Sequence, residues 1–349
     1  MQEARSISTI SEFLLHAGTE YIVLDVSRGI RIVDNQRFFE YENCTHAFPH
    51  PRQTHAWLCI MFWNKKLNSE HYIWYVKLPV DENSLIVAAA RDQFLQIVVD
   101  SLGKSIDDEQ RLKHGLPENP CVFTPSQQMR ADCNAKFKKY LADNDVEDAF
   151  KPLDDSSTWT YLQAPSVQRW ETLSVQNIAD IIVFADQTDI EECLLKHLEQ
   201  YPGPVLNCIL STLEGISISE KLSKYLGSLF YKYTQEQALI LRALTNGNLN
   251  IKTQLIDDIL ATNDKLDVEL LVVIAGRHWH LLRDSERLSR YMKKVAEAMP
   301  DFTLFKGIYS DLVQIPSVRD HLLDFLRNPE RSDVVASAIG DLLSSTGHV

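Results

Sequence analysis

From residue 174 onward the chain is divided at regular intervals. Residue types that open helices recur near Ser174, Thr188, Gly203, Ser219, Thr234, Asn248, Asp264, Asp284, Asp301, Pro316 and Arg331. Most are Ser, Thr, Asn or Asp, whose side-chain oxygen can accept a backbone N–H left unpaired in the first helical turn. Successive starts lie 14 to 20 residues apart, so helix pairs return about every 30 to 37 residues. That period belongs to two-helix repeats stacked as a solenoid. Thr188–Glu191 and Thr234–Gln237 read as capping boxes. The segment from Leu266 to Leu282 contains LLVVIAG and is apolar nearly all round, which predicts one long central helix. The segment from Ser285 to Met299 gathers Leu288, Tyr291, Met292, Val295 and Met299 on one face. The period lies in spacing alone, without a tetratricopeptide or ankyrin consensus, so a compact non-repeating helical domain is the alternative.

The first hundred residues follow another pattern. Thr9 can cap a short helix through His16, stopped by Gly18. EYIVLDVS (20–27) and GIRIVDN (29–35) read as strands turning at Arg28-Gly29. A loop-like stretch over 43–56 leads to AWLCIMFWN (56–64) and HYIWYVKL (71–78), a second hairpin around KKLNSE. Both faces of this hairpin are apolar, so both should be covered, and Trp63 and Trp74 are expected in the core. The helix over 88–102 offers Leu95, Val98, Val99 and Leu102 as a covering stripe. Residues 104–165 are irregular except for one helix, with Thr124 as N-cap and Pro125 at its first position, running to about Leu141. The expected organisation is an α+β N-terminal domain, two hairpins covered by helices, over 1–110. An irregular linker with one helix follows over 111–165. An all-α domain of α-solenoid-like helical repeats completes the chain over 166–349.

The formal net charge of −13 is spread along the chain, with 16 Lys+Arg against 21 Asp+Glu in residues 1–150. An acidic surface opposes phosphate backbones, so nucleic-acid binding is not expected. The first residues lack the basic start and long apolar run of a signal peptide, and no window approaches the roughly 18 apolar residues of a membrane helix. The six cysteines are scattered without a CxxC and read as reduced thiols. A cytoplasmic protein without membrane contact is the expectation.

Phosphate-binding loops, dinucleotide fingerprints, nucleophile elbows and HExxH helices are all missing from the sequence, so no cofactor is expected and an enzymatic activity is the less favoured reading. Cys44, His46, His50, His55 and Cys59 form one ligand-like cluster. A Pro-rich loop followed by a strand would let these groups diverge, and no metal is expected. DNDVED (143–148) lacks the glycine of a calcium loop at its sixth position. Two other constellations are candidate sites. Arg52, His55, Lys77, Arg91 and Asp92 could meet at one end of the second hairpin, as an anion site or as an internal ion network. Arg283, Arg287, Arg290 and Lys294 fall at spacings of four, three and four, one stripe of a helix. The stripe could dock an acidic partner segment, or be neutralised by Asp284, Glu286, Asp264 or Asp267.

PRQTHAWLCIMFWN (51–64), HYIWYVKLP (71–79) and AARDQFLQIVVDSLG (89–103), with the opening ISEFLLHAGTEYIVLDVSRGI, resemble a bacterial family of unknown function, domain-of-unknown-function family 3549. The likeness extends over the whole chain. It implies a bacterial, cytoplasmic protein and brings no activity or catalytic residue. A non-enzymatic interaction scaffold that binds another protein is the favoured expectation. The alternative is an enzyme or small-anion binder working at the end of the 56–78 hairpin.

Overall fold

The computed structural model describes residues 8–63, 71–103, 119–144, 157–167, 169–262 and 265–346. The chain divides into two compact units, residues 1–125 with 314–317, and residues 126–313 with 318–349. Helices α4 and α5, which fall in the segment read as a linker, cluster with the second unit.

In the first unit the Thr9 hydroxyl accepts the Glu12 N–H and opens α1 (Ile10–His16). Strand β1 (Glu20–Asp25) returns as β2 (Arg31–Val33) through Gly29, whose φ of +127° is closed to residues with a Cβ. Asp34 then caps α2 (Asn35–Glu42), its carboxylate accepting the N–H groups of Gln36 and Arg37. Strands β3 (His55–Trp63) and β4 (His71–Pro79) complete an antiparallel sheet of order β2-β1-β3-β4. The turn KKLNSE lies outside the described residues. Val23 faces Ile60, and Ile60 faces Trp74, so alternate residues share a face. Tyr21, Val23, Leu58, Ile60, Val76 and Leu78 pack with Ile10 and Leu14 of α1, Phe38 of α2, and Phe94, Leu95 and Val98 of α3 (Ala88–Gly103). Ile22, Leu24, Cys59 and Met61 on the opposite face are buried too. The outer edge of β4 is covered midway. Lys77 N–H donates to Cys121 O at 2.7 Å, and Phe123 N–H donates to Tyr75 O at 3.2 Å. The opposite edge is β2, three residues long.

Three expectations for this unit change. Val99 points away from the core and is 45% exposed. Trp63 and Trp74 are partly buried rather than enclosed. Trp74 still packs among Phe13, Phe62 and Phe94, with ring centroids at 6.2, 4.7 and 5.9 Å.

The second unit is helical. It contains α4 (Gln127–Asp143), α5 (Ser157–Gln163), α6 (Val175–Ile182), α7 (Thr188–His197), α8 (Gly203–Leu213), α9 (Glu220–Lys232) and α10 (Gln237–Ala243). It continues with α11 (Leu249–Ala261), α12 (Val268–Arg277), α13 (Ser285–Ala298), α14 (Thr303–Leu312), α15 (Pro316–Arg327) and α16 (Asp333–Thr346). Ser174, Ser219, Asn248 and Asp284 cap as their residue types require. Ser126, not Thr124, caps α4, so Pro125 precedes the helix. Neither expected capping box forms: α7 starts behind Gln187 and α10 behind Glu236, without a side-chain cap. The long helix expected from Leu266 to Leu282 is two pieces. α12 ends at Arg277, and Trp279–Arg283 is a 3-10 turn. Between them His278 is fully buried with Nε2 at 2.9 Å from Leu241 O. Burial lowers the ring's pKa to about 3, so the imidazole is neutral and Nε2–H is the donor.

Helices pack on their next-but-one neighbours. One series runs α4, α6, α8, α10, α12, α14, α16, and a second runs α5, α7, α9, α11, α13. Among the described residues no helix is long and apolar enough to cross a membrane.

Candidate functional sites

Three of the five residues expected at the hairpin end do meet, around Trp57. Arg52 and His55 face each other across a two-residue turn, with Arg52 N–H to His55 O at 2.9 Å and His55 N–H to Arg52 O at 3.0 Å. Gln53 and Thr54 form that turn with φ of 50° and 62°, the left-handed region that tight hairpins demand and β-branched residues resist. The Arg52 guanidinium lies 4.1 Å from the Trp57 ring centroid, and the Lys77 ammonium lies 5.7 Å from it. Lys77 is the cross-strand partner of Trp57. His55 approaches the indole edge-on at 6.5 Å, and Phe123 packs on it at 4.7 Å. Trp57 Nε1 donates to Arg52 O at 3.0 Å, which fixes the ring.

Arg91 and Asp92 belong to another cluster. Arg91 is buried, pairs with exposed Asp92 at 2.7 Å, and donates to the main-chain oxygen of Glu42. The Glu42 carboxylate is itself buried at the start of α1. It accepts Ile10 N–H at 2.6 Å, Ser11 N–H at 3.1 Å, and the Ser11 hydroxyl. Burial pushes its pKa up to about 7, against the pull of those hydrogen bonds and of Arg91. Nothing in the sequence flags Glu42, because α2 itself carries no strong signal.

The five metal-ligand types of residues 44–59 go separate ways. Cys44 Sγ donates to Ile86 O at 3.0 Å, His50 Nδ1 bonds buried Asp25 at 2.9 Å, and Cys59 is enclosed in β3. His46 lies beside Glu40 at 3.5 Å. Among the described residues no group of three or more His, Cys, Asp or Glu is placed to hold a metal ion.

The basic stripe is engaged within the fold. Asp257 of α11 receives Arg287 through both carboxylate oxygens at 2.8 and 2.9 Å, and Arg290 at 3.3 Å. Lys294 Nζ donates to Thr262 O at 2.6 Å. Arg283 stays exposed. Asp257 was not among the acids weighed from sequence; of those, Glu286 makes only a long contact of 3.8 Å with Arg290, and Asp264 lies outside the described residues. A fork-to-fork pair holds the stripe to its neighbouring helix.

A buried polar cluster on the even-numbered helices was also silent in the sequence. Glu214, at the end of α8, sits between Arg242 of α10 at 2.6 Å and Arg277 of α12. Asp132 of α4 accepts the Thr212 hydroxyl at 2.7 Å and the Gln128 amide at 2.9 Å, and burial raises its pKa to about 6.

Troughs among the described residues include one beside α9, α11 and the start of α12 and one between α5 and α7. The larger, about 410 Å³, is floored by Phe230, Ile259 and Leu270 and edged by Leu266, Tyr231 and Asp258. Tyr231 is 60% exposed and donates to Asp258 at 2.6 Å. The smaller, about 330 Å³, lies between α5 and α7.

No curated protein and no solved structure matches the chain. Residues 5–343 match the family model described as "Protein of unknown function (DUF3549)", which spans nearly the whole sequence, and the chain belongs to that family.

Proposed function

We propose that the helical unit is a protein-interaction array of solenoid-like helix pairs, and that the trough beside Tyr231 receives an apolar segment of a partner protein. The trough carries this reading. Its apolar floor, polar rim and protruding tyrosine are the arrangement in which an interface buries a few anchor side chains. Next-but-one packing of the helices supports the stacked-pair part of the reading. The test places a photo-crosslinking amino acid at position 231 in the native host, with position 343, another exposed site, as control. A discrete crosslinked partner at 231, lost on Leu266→Glu and not formed from 343, is the expected result. Equal crosslinking from both positions overturns it.

A second reading places a small anion at Trp57. Arg52 and Lys77 share one indole there, on a turn whose two non-glycine residues are held in a costly conformation. Phosphate titration of the wild type and of Lys77→Met tests it, and equal affinities sink it.

A further inference from the structure

Helix α7 turns Asp189, Glu192, Lys196 and His197 toward the trough it shares with α5, whose wall is Trp159. Residues three, four, seven and eight apart lie on one helical face, so these groups form a single stripe. Its acids lie toward the start of the helix and its bases toward the end. Among the described residues the side chains of Asp189, Glu192 and Lys196 make no ion pair and no side-chain hydrogen bond. Acids early and bases late also suit the helix dipole. The dipole explains the order of the charges, but not why they line a cavity against an indole.

The trough has the volume of a small-molecule site, at the lower end of the usual range. Cys193 lies in its wall, but this thiol is turned to Leu162 O at 3.3 Å, and burial raises its pKa. A thiol so held is a poor nucleophile, and the trough is built for binding rather than covalent chemistry. With a helical rise of about 1.5 Å per residue, Lys196 lies about 6 Å along the axis from Glu192 and about 10 Å from Asp189. Opposite charges at that separation, with an aromatic wall between, match a linear molecule charged at both ends.

We propose that this trough binds a linear zwitterion, an ammonium and a carboxylate joined by a short alkyl chain. The ammonium sits at Asp189 and Glu192, the carboxylate at Lys196 and His197, and the methylenes lie against Trp159. Two sources present this chemistry: a free ω-amino acid, or the lysine at the C-terminus of a partner chain, whose side-chain ammonium and terminal carboxylate have similar separation.

The test is calorimetric titration of the full-length protein with 6-aminohexanoate, hexylamine and hexanoate. The two-ended ligand should bind about tenfold more tightly than either one-ended one, the worth of one added charge-assisted contact. Lys196→Met should lower 6-aminohexanoate to the affinity of hexylamine. Asp189→Asn with Glu192→Gln should remove binding of both amines. These positions are at the surface, and unchanged thermal melting of the variants will show that they fold. A tripeptide ending in lysine and its C-terminal amide separate the sources: tighter binding by the free-acid peptide than by 6-aminohexanoate assigns a partner's C-terminus, and the reverse assigns the free ω-amino acid. No binding by wild type, or equal affinity for 6-aminohexanoate and hexylamine, overturns the proposal.

Discussion

Buried charge serves different ends in the two units. In the sheet unit it satisfies backbone. Glu42 caps the first turn of α1, and Arg28, fully enclosed, donates twice to Pro51 O at 2.9 and 2.7 Å. Asp25 accepts Ser27 N–H at 2.9 Å and holds His50. In the helical unit most main-chain groups are satisfied within their helices. Lys136 and Lys252 serve carbonyls at Gly215 and Thr245, near helix ends. The remaining buried charges tie one helix to another, as Glu214 does with Arg242 and Arg277, and as Asp180 does with Lys138. The contrast follows from the connections. The first unit routes a long irregular segment, residues 43–54, across its core, and its main-chain groups need partners that no ladder supplies. From α6 onward the second joins its helices by connections of only a few residues.

The sharpest test asks whether each unit depends on its own core. Phe94→Ala and Phe305→Ala each empty a fully buried site and should cost about 3–5 kcal/mol in urea melts. With probes specific to each unit, Phe94→Ala should shift only the sheet transition and Phe305→Ala only the helical one. One shared transition for both variants would break the comparison as drawn.

Next comes the pH response of the cap. Burial pushes the Glu42 carboxyl from an ordinary 4.5 up to about 7 in the fold, so folding favours its protonated form. That stabilisation is full below pH about 4.5 and is lost as pH rises through 7, a change of about 3 kcal/mol. Glu42→Gln should flatten the fall in stability between those limits. Asp132, raised from 3.8 to about 6, should leave a smaller fall of the same sign in the variant. An unchanged profile would show that Glu42 does not carry the effect.

Glu214→Ala should cost about 2 kcal/mol, less than a fully enclosed pair would, because the Arg242 and Arg277 side chains keep 34% and 21% exposure. A double-mutant cycle with Arg242→Met should show coupling; strict additivity would deny the link between helices. The smallest effect separates a true cap from an apparent one. Ser219→Ala should cost about 1 kcal/mol, whereas Thr188→Ala, at a position that caps nothing, should stay within about 0.5 kcal/mol. Equal losses would restore the capping box at 188.

What was legible in the sequence is what local chemistry decides. Ser174, Ser219, Asn248 and Asp284 mark their helices because the capping oxygen and its N–H are two or three residues apart. Both hairpins followed from strand-like runs separated by turn residues. Where two cap types flank a proline, as at Thr124-Pro125-Ser126, the pattern could not choose between them. The break at His278 depends on a carbonyl 37 residues away. Asp257 lies 30 residues before Arg287, so the sequence offered nearer acids as its partners instead. Around Trp57 the strand register carried Lys77 to the indole, but Arg91 lay on a helix whose direction only packing with Glu42 determines.

The bridge laid along β4 has a consequence for self-association. A sheet edge with open N–H and C=O groups is a template on which further strands can grow, end over end, into fibres. Here residues 121–123 occupy the middle of the nine-residue edge, and the remaining edge offers only Arg31–Val33, with Arg31 folded back on Arg28 O at 3.0 Å. Cutting the chain before residue 119 would uncover the longer edge. A sheet fragment made that way is expected to precipitate or bind amyloid dyes at concentrations where the whole chain stays clear.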